Sequence, residues 1–133
     1  MTKIIELTVK TGERTQMIDI TGDILKLVQN SGISHGLCHV YCPHTTAGIT
    51  INENADPTVI TDMLNTLNKL IPVDKSYLHR EGNSDAHIKA ALIGASETLF
   101  IQNGTLRLGT WQGIYFCEFD GPRNRRVWIK LST

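Results

Sequence analysis

Thr98-Leu99-Phe100-Ile101-Gln102-Asn103-Gly104-Thr105-Leu106-Arg107-Leu108 decides the fold of this chain. Two runs rich in strand-forming residues flank Asn103-Gly104, the dipeptide that most strongly signals a two-residue hairpin. The stretch therefore predicts an antiparallel strand pair. Gly113 to Phe119 and Val127 to Leu131 extend the pattern, joined by the turn Asp120-Gly121-Pro122-Arg123-Asn124. Everything after Thr98 reads as strand and turn.

Upstream the pattern changes. Asp56-Pro57 opens a helix, with a capping carboxylate followed by proline at the first helical position. Val59, Ile60, Met63, Leu64, Leu67, Leu70 and Ile71 follow at helical spacing, and Pro72 ends the run. Ser84 is expected to cap a shorter helix from Asp85 to about Ile93, closed by Gly94. At the N-terminus, Lys3 to Val9 alternates as a strand with one buried face. Thr11-Gly12-Glu13 then leads to a second strand, Arg14 to Ile20, as a hairpin. Thr21 would cap a helix through Asn30 that stops at Gly32. His35 to Cys42 and Ile49 to Asn52 supply two more strands. Strands, helix, strands, two helices and about four strands, without regular alternation, make an α+β domain. A mainly antiparallel sheet arrangement and about three helices are expected in one compact domain over residues 1–133.

The chain is long enough to bury a core without staples. Apolar residues make up 41% and charged residues 20%, and thirteen basic residues balance thirteen acidic ones. That balance gives no electrostatic reason for nucleic acid or an anionic membrane as partner. With no signal-like apolar start and no run of membrane-spanning length, the expected compartment is the cytoplasm. The three cysteines, an odd number with no Cys-x-x-Cys pair, read as buried reduced thiols. Cys38 and Cys42 share a strand face about 13 Å apart, too far to bridge.

Three polar islands carry the chemistry. The first is His79-Arg80-Glu81-Gly82-Asn83-Ser84-Asp85-Ala86-His87, with two imidazoles, two carboxylates and an amide. Its helix start at Ser84 suits a phosphate or carboxylate, and the same field favours a neutral His87. Asp85 would bind a cation or orient an imidazole. The second is Pro43-His44-Thr45-Thr46-Ala47-Gly48, in which His44 reads as a metal ligand or acid–base group. The hydroxyls of Thr45 and Thr46 would position a substrate oxygen. A surface histidine in a turn explains His44 equally well. In the third, Glu118-Phe119-Asp120-Gly121-Pro122-Arg123, Glu118 shares a strand face with Phe116 and Ile114. A carboxylate in an apolar layer needs a partner, and Arg107, Arg123, Arg125 and Arg126 are available. A structural Glu–Arg pair accounts for Glu118 at least as well as catalysis does. No metal-ligand spacing occurs on any predicted helix, so a metal would be assembled from distant segments.

Together with Ile51-Asn52-Glu53-Asn54 and Leu108-Gly109-Thr110-Trp111-Gln112-Gly113-Ile114, these islands resemble the YjbQ family in order and over essentially the whole chain. Members of that family are named secondary thiamine-phosphate synthase enzymes. The resemblance implies a compact α+β domain that assembles as a homotrimer with pockets near subunit boundaries. It implies joining of a pyrimidine diphosphate to a thiazole phosphate with loss of pyrophosphate. The site residues it implies are His44, Asn52, Glu53, His79, Asp85, His87, Trp111, Glu118, Asp120 and Arg123. Of these, His87, Glu118 and Asp85 would be catalytic. Thr45, Thr46, Asn52, Glu53, Ser84, Trp111, Asp120 and Arg123 would bind substrate. His44, His79 and His87 would hold a divalent ion, whether zinc, manganese or magnesium. A metal- or anion-binding protein without turnover, a different phosphate-ester enzyme, and a set of subunit contacts are the competing expectations.

Overall fold

The computed structural model describes residues 3–133. Among these residues eight strands form two antiparallel sheets, accompanied by three helices. The larger sheet contains β1 (Ile5–Lys10), β8 (Asn124–Ser132), β3 (Gly36–Tyr41), β5 (Ser96–Gln102) and β6 (Thr105–Arg107), in that order. The smaller contains β2 (Gln16–Asp19), β7 (Gln112–Glu118) and β4 (Ala47–Glu53). The Asn-Gly hairpin is present: Asn103 and Gly104 have φ of 53° and 75°, and Gln102 pairs with Thr105.

Alternation along the strands builds the first core between the sheets. Val9, Val40, Leu99, Val127 and Ile129 face it from the large sheet, and Ile49, Ile114 and Phe116 from the small one. Helix α1 (Thr21–Ser31) contributes Ile24 and Val28 to this core. The opposite face of β7 presents Tyr115 and Cys117 to a second cluster. There α3 (Ser84–Ile93) contributes Ala86 and Ala90, and α2 (Pro57–Leu70) adds Ile60, Met63, Leu64 and Leu67. Strand β7 is thus covered on both faces, which is why it reads as a nearly continuous apolar run. No helix among the described residues is long and apolar enough to cross a membrane.

Three local expectations are corrected. β1 and β2 do not form a hairpin, because β1 pairs with β8 and β2 with β7. The Thr11–Gly12–Glu13 connection instead carries the chain from one sheet to the other. Thr21 is the first residue of α1 and not its cap: its hydroxyl donates to Asp19 Oδ1 and accepts the Ile114 amide. Asn83, not Ser84, precedes the first turn of α3, and His87 is the fourth residue of that helix. Helix α2 is capped by Asp56 as the sequence predicts, but none of its residues is fully buried. Its apolar stripe is wider than the surface that this chain offers to cover it.

Candidate functional site

Three connections meet at one end of the sandwich: the loop from β3 to β4, the crossing from β7 to β8, and the start of α3. They enclose a cavity of ≈ 320 Å³ whose wall includes His44, Thr45, Thr46, Asn83, His87 and Arg125. Asp120, Arg123 and Glu81 line it as well. All three polar islands of the sequence reach it.

Behind the cavity, Glu118 enters the space between the sheets from the end of β7, fully buried. Arg125 of β8 meets it from the other sheet: Nε donates to Oε1 at 2.8 Å and Nη2 to Oε2. The Thr11 hydroxyl and the Asp120 amide donate to the same carboxylate at 2.8 and 3.0 Å. Burial works to raise the pKa of Glu118, but Arg125, the Asp120 amide and Thr11 outweigh it and hold the carboxyl below its ordinary value. Gly121 makes the arrangement possible. A Cβ there would lie 2.8 Å from Glu118 Cγ and 2.9 Å from Thr11 Oγ1. Glu118 thus acts on the cavity through Arg125, whose Nη2 also donates to Thr46 Oγ1 at 2.9 Å.

His44 is fixed from two sides. The Phe119 amide donates to the Thr46 carbonyl, tying down the loop, and the Arg126 amide donates to His44 Nε2 at 2.9 Å. Burial, followed by the charge of Arg125, pushes the His44 pKa below its ordinary value. The ring is a neutral imidazole whose Nε2 lone pair is already engaged.

On the α3 side, Asp85 points away from the cavity. Arg14 clasps its carboxylate with both terminal nitrogens, at 2.9 and 3.1 Å, and Lys89 Nζ lies 3.3 Å from Oδ2. Burial opposes ionisation of Asp85, but these cationic partners outweigh it and lower the pKa. Lys89, itself buried, also donates to Asn68 Oδ1 of α2 at 2.7 Å. Asp85 therefore pins α3 rather than orienting an imidazole. Two residues along the same helix, on its other side, His87 reaches the cavity, with His79 packed edge-on against it at 5.4 Å between ring centroids. The Asn83 amide nitrogen donates to Asp120 Oδ2 at 2.8 Å and to Glu81 Oε2 at 3.2 Å. Asp120 also accepts from Arg123 Nη2 at 3.0 Å.

Asn52, Glu53 and Trp111 stand elsewhere. Glu53 ends β4 and Ala47 begins it, about 20 Å apart at roughly 3.3 Å per residue. Trp111 lies at that far end beside the Gln112–Glu53 pair, and is 63% exposed. Ser84 belongs to the first turn of α3 but does not line the cavity. A larger cleft of ≈ 530 Å³ over the β5–β6 hairpin has Arg107 as its one ionisable side chain and brings no catalytic constellation together.

The divalent ion implied by the resemblance does not fit the residues of one chain. No group of three or more His, Cys, Asp or Glu side chains among the described residues is placed to hold a metal. His44 could offer a metal only Nδ1, which would require the proton to sit on Nε2, against the Arg126 N–H.

Residues 5–133 match the family described as UPF0047 protein YjbQ-like. The chain belongs to the YjbQ/UPF0047 family. It is 53% identical over 126 residues to the UPF0047 protein YugU of Bacillus subtilis, covering 94% of this chain and 96% of the relative. It is 52% identical over 123 residues to the UPF0047 protein MJ1081 of Methanocaldococcus jannaschii, covering 92% and 89%. A crystal structure of an uncharacterised YjbQ/UPF0047 protein from Clostridium acetobutylicum superposes with a TM-score of 0.94 at 58% identity, covering 96% of this chain and 99% of that one. A YbjQ-like protein of unknown function from Sulfolobus solfataricus gives 0.93 at 30% identity, covering 98% and 96%. The YjbQ fold is thereby shown.

Sequence reasoning missed Arg14, Thr11 and Lys89, and left Arg125 as one of four candidate partners for Glu118. Two of these were within reach. Lys89 stands four residues after Asp85 on one helix face, and Arg125 shares the strand face of Val127, Ile129 and Leu131.

Proposed function

We propose that this YjbQ-family chain is an enzyme that acts on a small phosphorylated molecule held between His44 and His87. Thiamine-phosphate synthesis is the reaction the family resemblance puts forward. The observation that carries the reading is the convergence of two imidazoles, two threonine hydroxyls and the guanidinium of Arg125 in one polar cavity. In the proposed reaction the thiazole nitrogen lone pair forms a bond to the methylene carbon of the pyrimidine diphosphate. The C–O bond breaks, and pyrophosphate leaves with the bonding electron pair. Arg123 and Arg125 would stabilise the leaving charge, and His87 would handle protons at its rim. No step is routed through a metal.

A cavity of ≈ 320 Å³ sits at the small end of the roughly 300–1,000 Å³ range of ligand sites. It suits one phosphorylated molecule, so we further propose a homotrimer in which a neighbouring copy enlarges the site. The only partly covered stripe of α2 and the exposed Phe100, Leu92 and Trp111 support such contacts. Three buried free thiols accord with a cytoplasmic setting.

Pyrophosphate release from the two substrates tests the reaction. His87→Ala should lower the rate by about 10²–10⁴-fold with unchanged circular dichroism. The second reading, binding without turnover, is favoured by the prior pairing of Arg123 with Asp120 and of Arg125 with Glu118. Ligand binding by wild-type protein with no pyrophosphate release would establish it. Light scattering in solution tests the trimer, and a monomeric mass would refute it.

A further inference from the structure

We propose that His44 is locked as its Nδ1–H tautomer by the Arg126 backbone amide, and that with Thr45, Thr46 and Arg125 it forms a wall of hydrogen-bond donors that binds a phosphoryl group. This rests on the reading of the cavity as a site for a phosphorylated molecule, and says how that group is recognised.

The tautomer follows from one hydrogen bond. A neutral imidazole has one donor nitrogen and one acceptor nitrogen. The Arg126 N–H can only donate, and it lies 2.9 Å from Nε2. Nε2 is therefore the acceptor and the proton resides on Nδ1. Among the described residues Nδ1 has no protein partner, and Asn83 Oδ1 is the one sealed side-chain N or O atom without one. Nδ1 is thus open to the cavity that His44 lines.

The same accounting runs along the wall. Arg125 engages Glu118 through Nε and Nη2 and Thr46 through Nη2, which leaves Nη1 as its unengaged nitrogen. Nη1 is not a sealed orphan either, so it too is open, on a side chain that is itself 5% exposed. The Thr46 hydroxyl oxygen accepts from Arg125 at 2.9 Å, which leaves its own proton to donate outward. Thr45, an exposed residue of the lining, adds a hydroxyl with no protein partner among the described residues. The carboxylates that line the cavity, Glu81 and Asp120, both accept from the Asn83 amide nitrogen. The free donors of His44, Thr45, Thr46 and Arg125 therefore lie together, while the carboxylates are engaged by Asn83 and, at Asp120, by Arg123 as well. A phosphoryl group, with three acceptor oxygens and no need to donate, matches the donor wall.

Nitrogen NMR of ¹⁵N-histidine-labelled wild-type protein at neutral pH tests the tautomer directly, before any ligand is added. His44 should show a protonated Nδ1 and an unprotonated Nε2; the reverse pattern overturns the tautomer. Titration with inorganic phosphate then tests the wall. His44→Asn, whose amide nitrogen can stand near the Nδ1 position, should keep affinity within about threefold. His44→Ala should weaken it by about tenfold, the loss of one hydrogen bond. Equal weakening in both folded variants overturns the donor role. Phosphate binding with an Nε2–H ring would leave the proposed function standing without this inference. An Nδ1–H ring with no phosphate binding by wild-type protein would overturn the donor wall and the proposed ligand class together.

Discussion

Glu118 at the end of β7 and Arg125 near the start of β8 face each other across the gap between the two sheets, both buried. A pair placed there joins the sheets and aims the guanidinium at the cavity in one act. Two ions taken out of water this way are stable only while each satisfies the other.

Removing one partner should therefore be costly. Glu118→Gln or Arg125→Ala is expected to lose about 3–5 kcal/mol in urea unfolding, because each leaves an uncompensated buried charge. Glu118→Leu combined with Arg125→Met should cost clearly less than the sum of the single losses. Additive losses would mean that the two residues act independently.

Acid should drain stability through the two buried carboxylates. Asp85 and Glu118 are held below their ordinary values of 3.8 and 4.5, so above about pH 5 both are ionised folded or unfolded and their stabilisation is complete. As pH falls through the ordinary range the unfolded chain takes up protons first, and stability declines until the folded groups titrate as well. Urea midpoints measured from pH 6 to pH 3 should fall, and Asp85→Asn should fall less steeply. Parallel curves for the two proteins would exclude Asp85 as a source.

Gly121 is expected to tolerate no side chain. Its Cβ would overlap the Glu13 carbonyl oxygen first, and would also press on Glu118 Cγ and Thr11 Oγ1, so Gly121→Ala must shift the Glu13 backbone and crowd the carboxylate that Arg125 needs. A loss of about 1–3 kcal/mol is expected from overpacking of this kind. Wild-type stability in this variant would show that the turn can relax freely.

At the start of α2, Asp56 Oδ1 accepts from the Thr58 amide at 2.9 Å. Asp56→Ala should cost about 1 kcal/mol, whereas Asp56→Ser should cost much less. Thermal unfolding separates the two, and equal midpoints for both variants would deny the cap its role.

The sequence carried local information faithfully and non-local information poorly. Asn103-Gly104 and Asp56-Pro57 specify their turn and cap through backbone chemistry confined to a few residues, and both are present. The supposed β1–β2 hairpin failed because a polar turn does not say whether the following strand returns to the same sheet. The apolar stripe of α2 was visible, but periodicity cannot say how much of it the same chain covers. At the site, His44, His87 and Glu118 drew notice as isolated chemical groups. The tautomer of His44 depends on Arg126 and the burial of Asp85 on Arg14, partners that stand 82 and 71 residues away in the chain, whereas Glu118 finds Arg125 only seven residues on, across the turn into the other sheet.

The three cysteines give the two cores separate clocks. Cys38 lies in the core between the sheets and Cys117 in the layer under α2 and α3, both fully buried. Burial pushes their thiols up to about 11 and about 12. At neutral pH a native thiol of this kind hardly reacts, so alkylation must wait for the surrounding layer to open. Labelling rates at Cys38 and Cys117, resolved by peptide mass, would then report whether the helical layer lifts away while the sandwich stays closed.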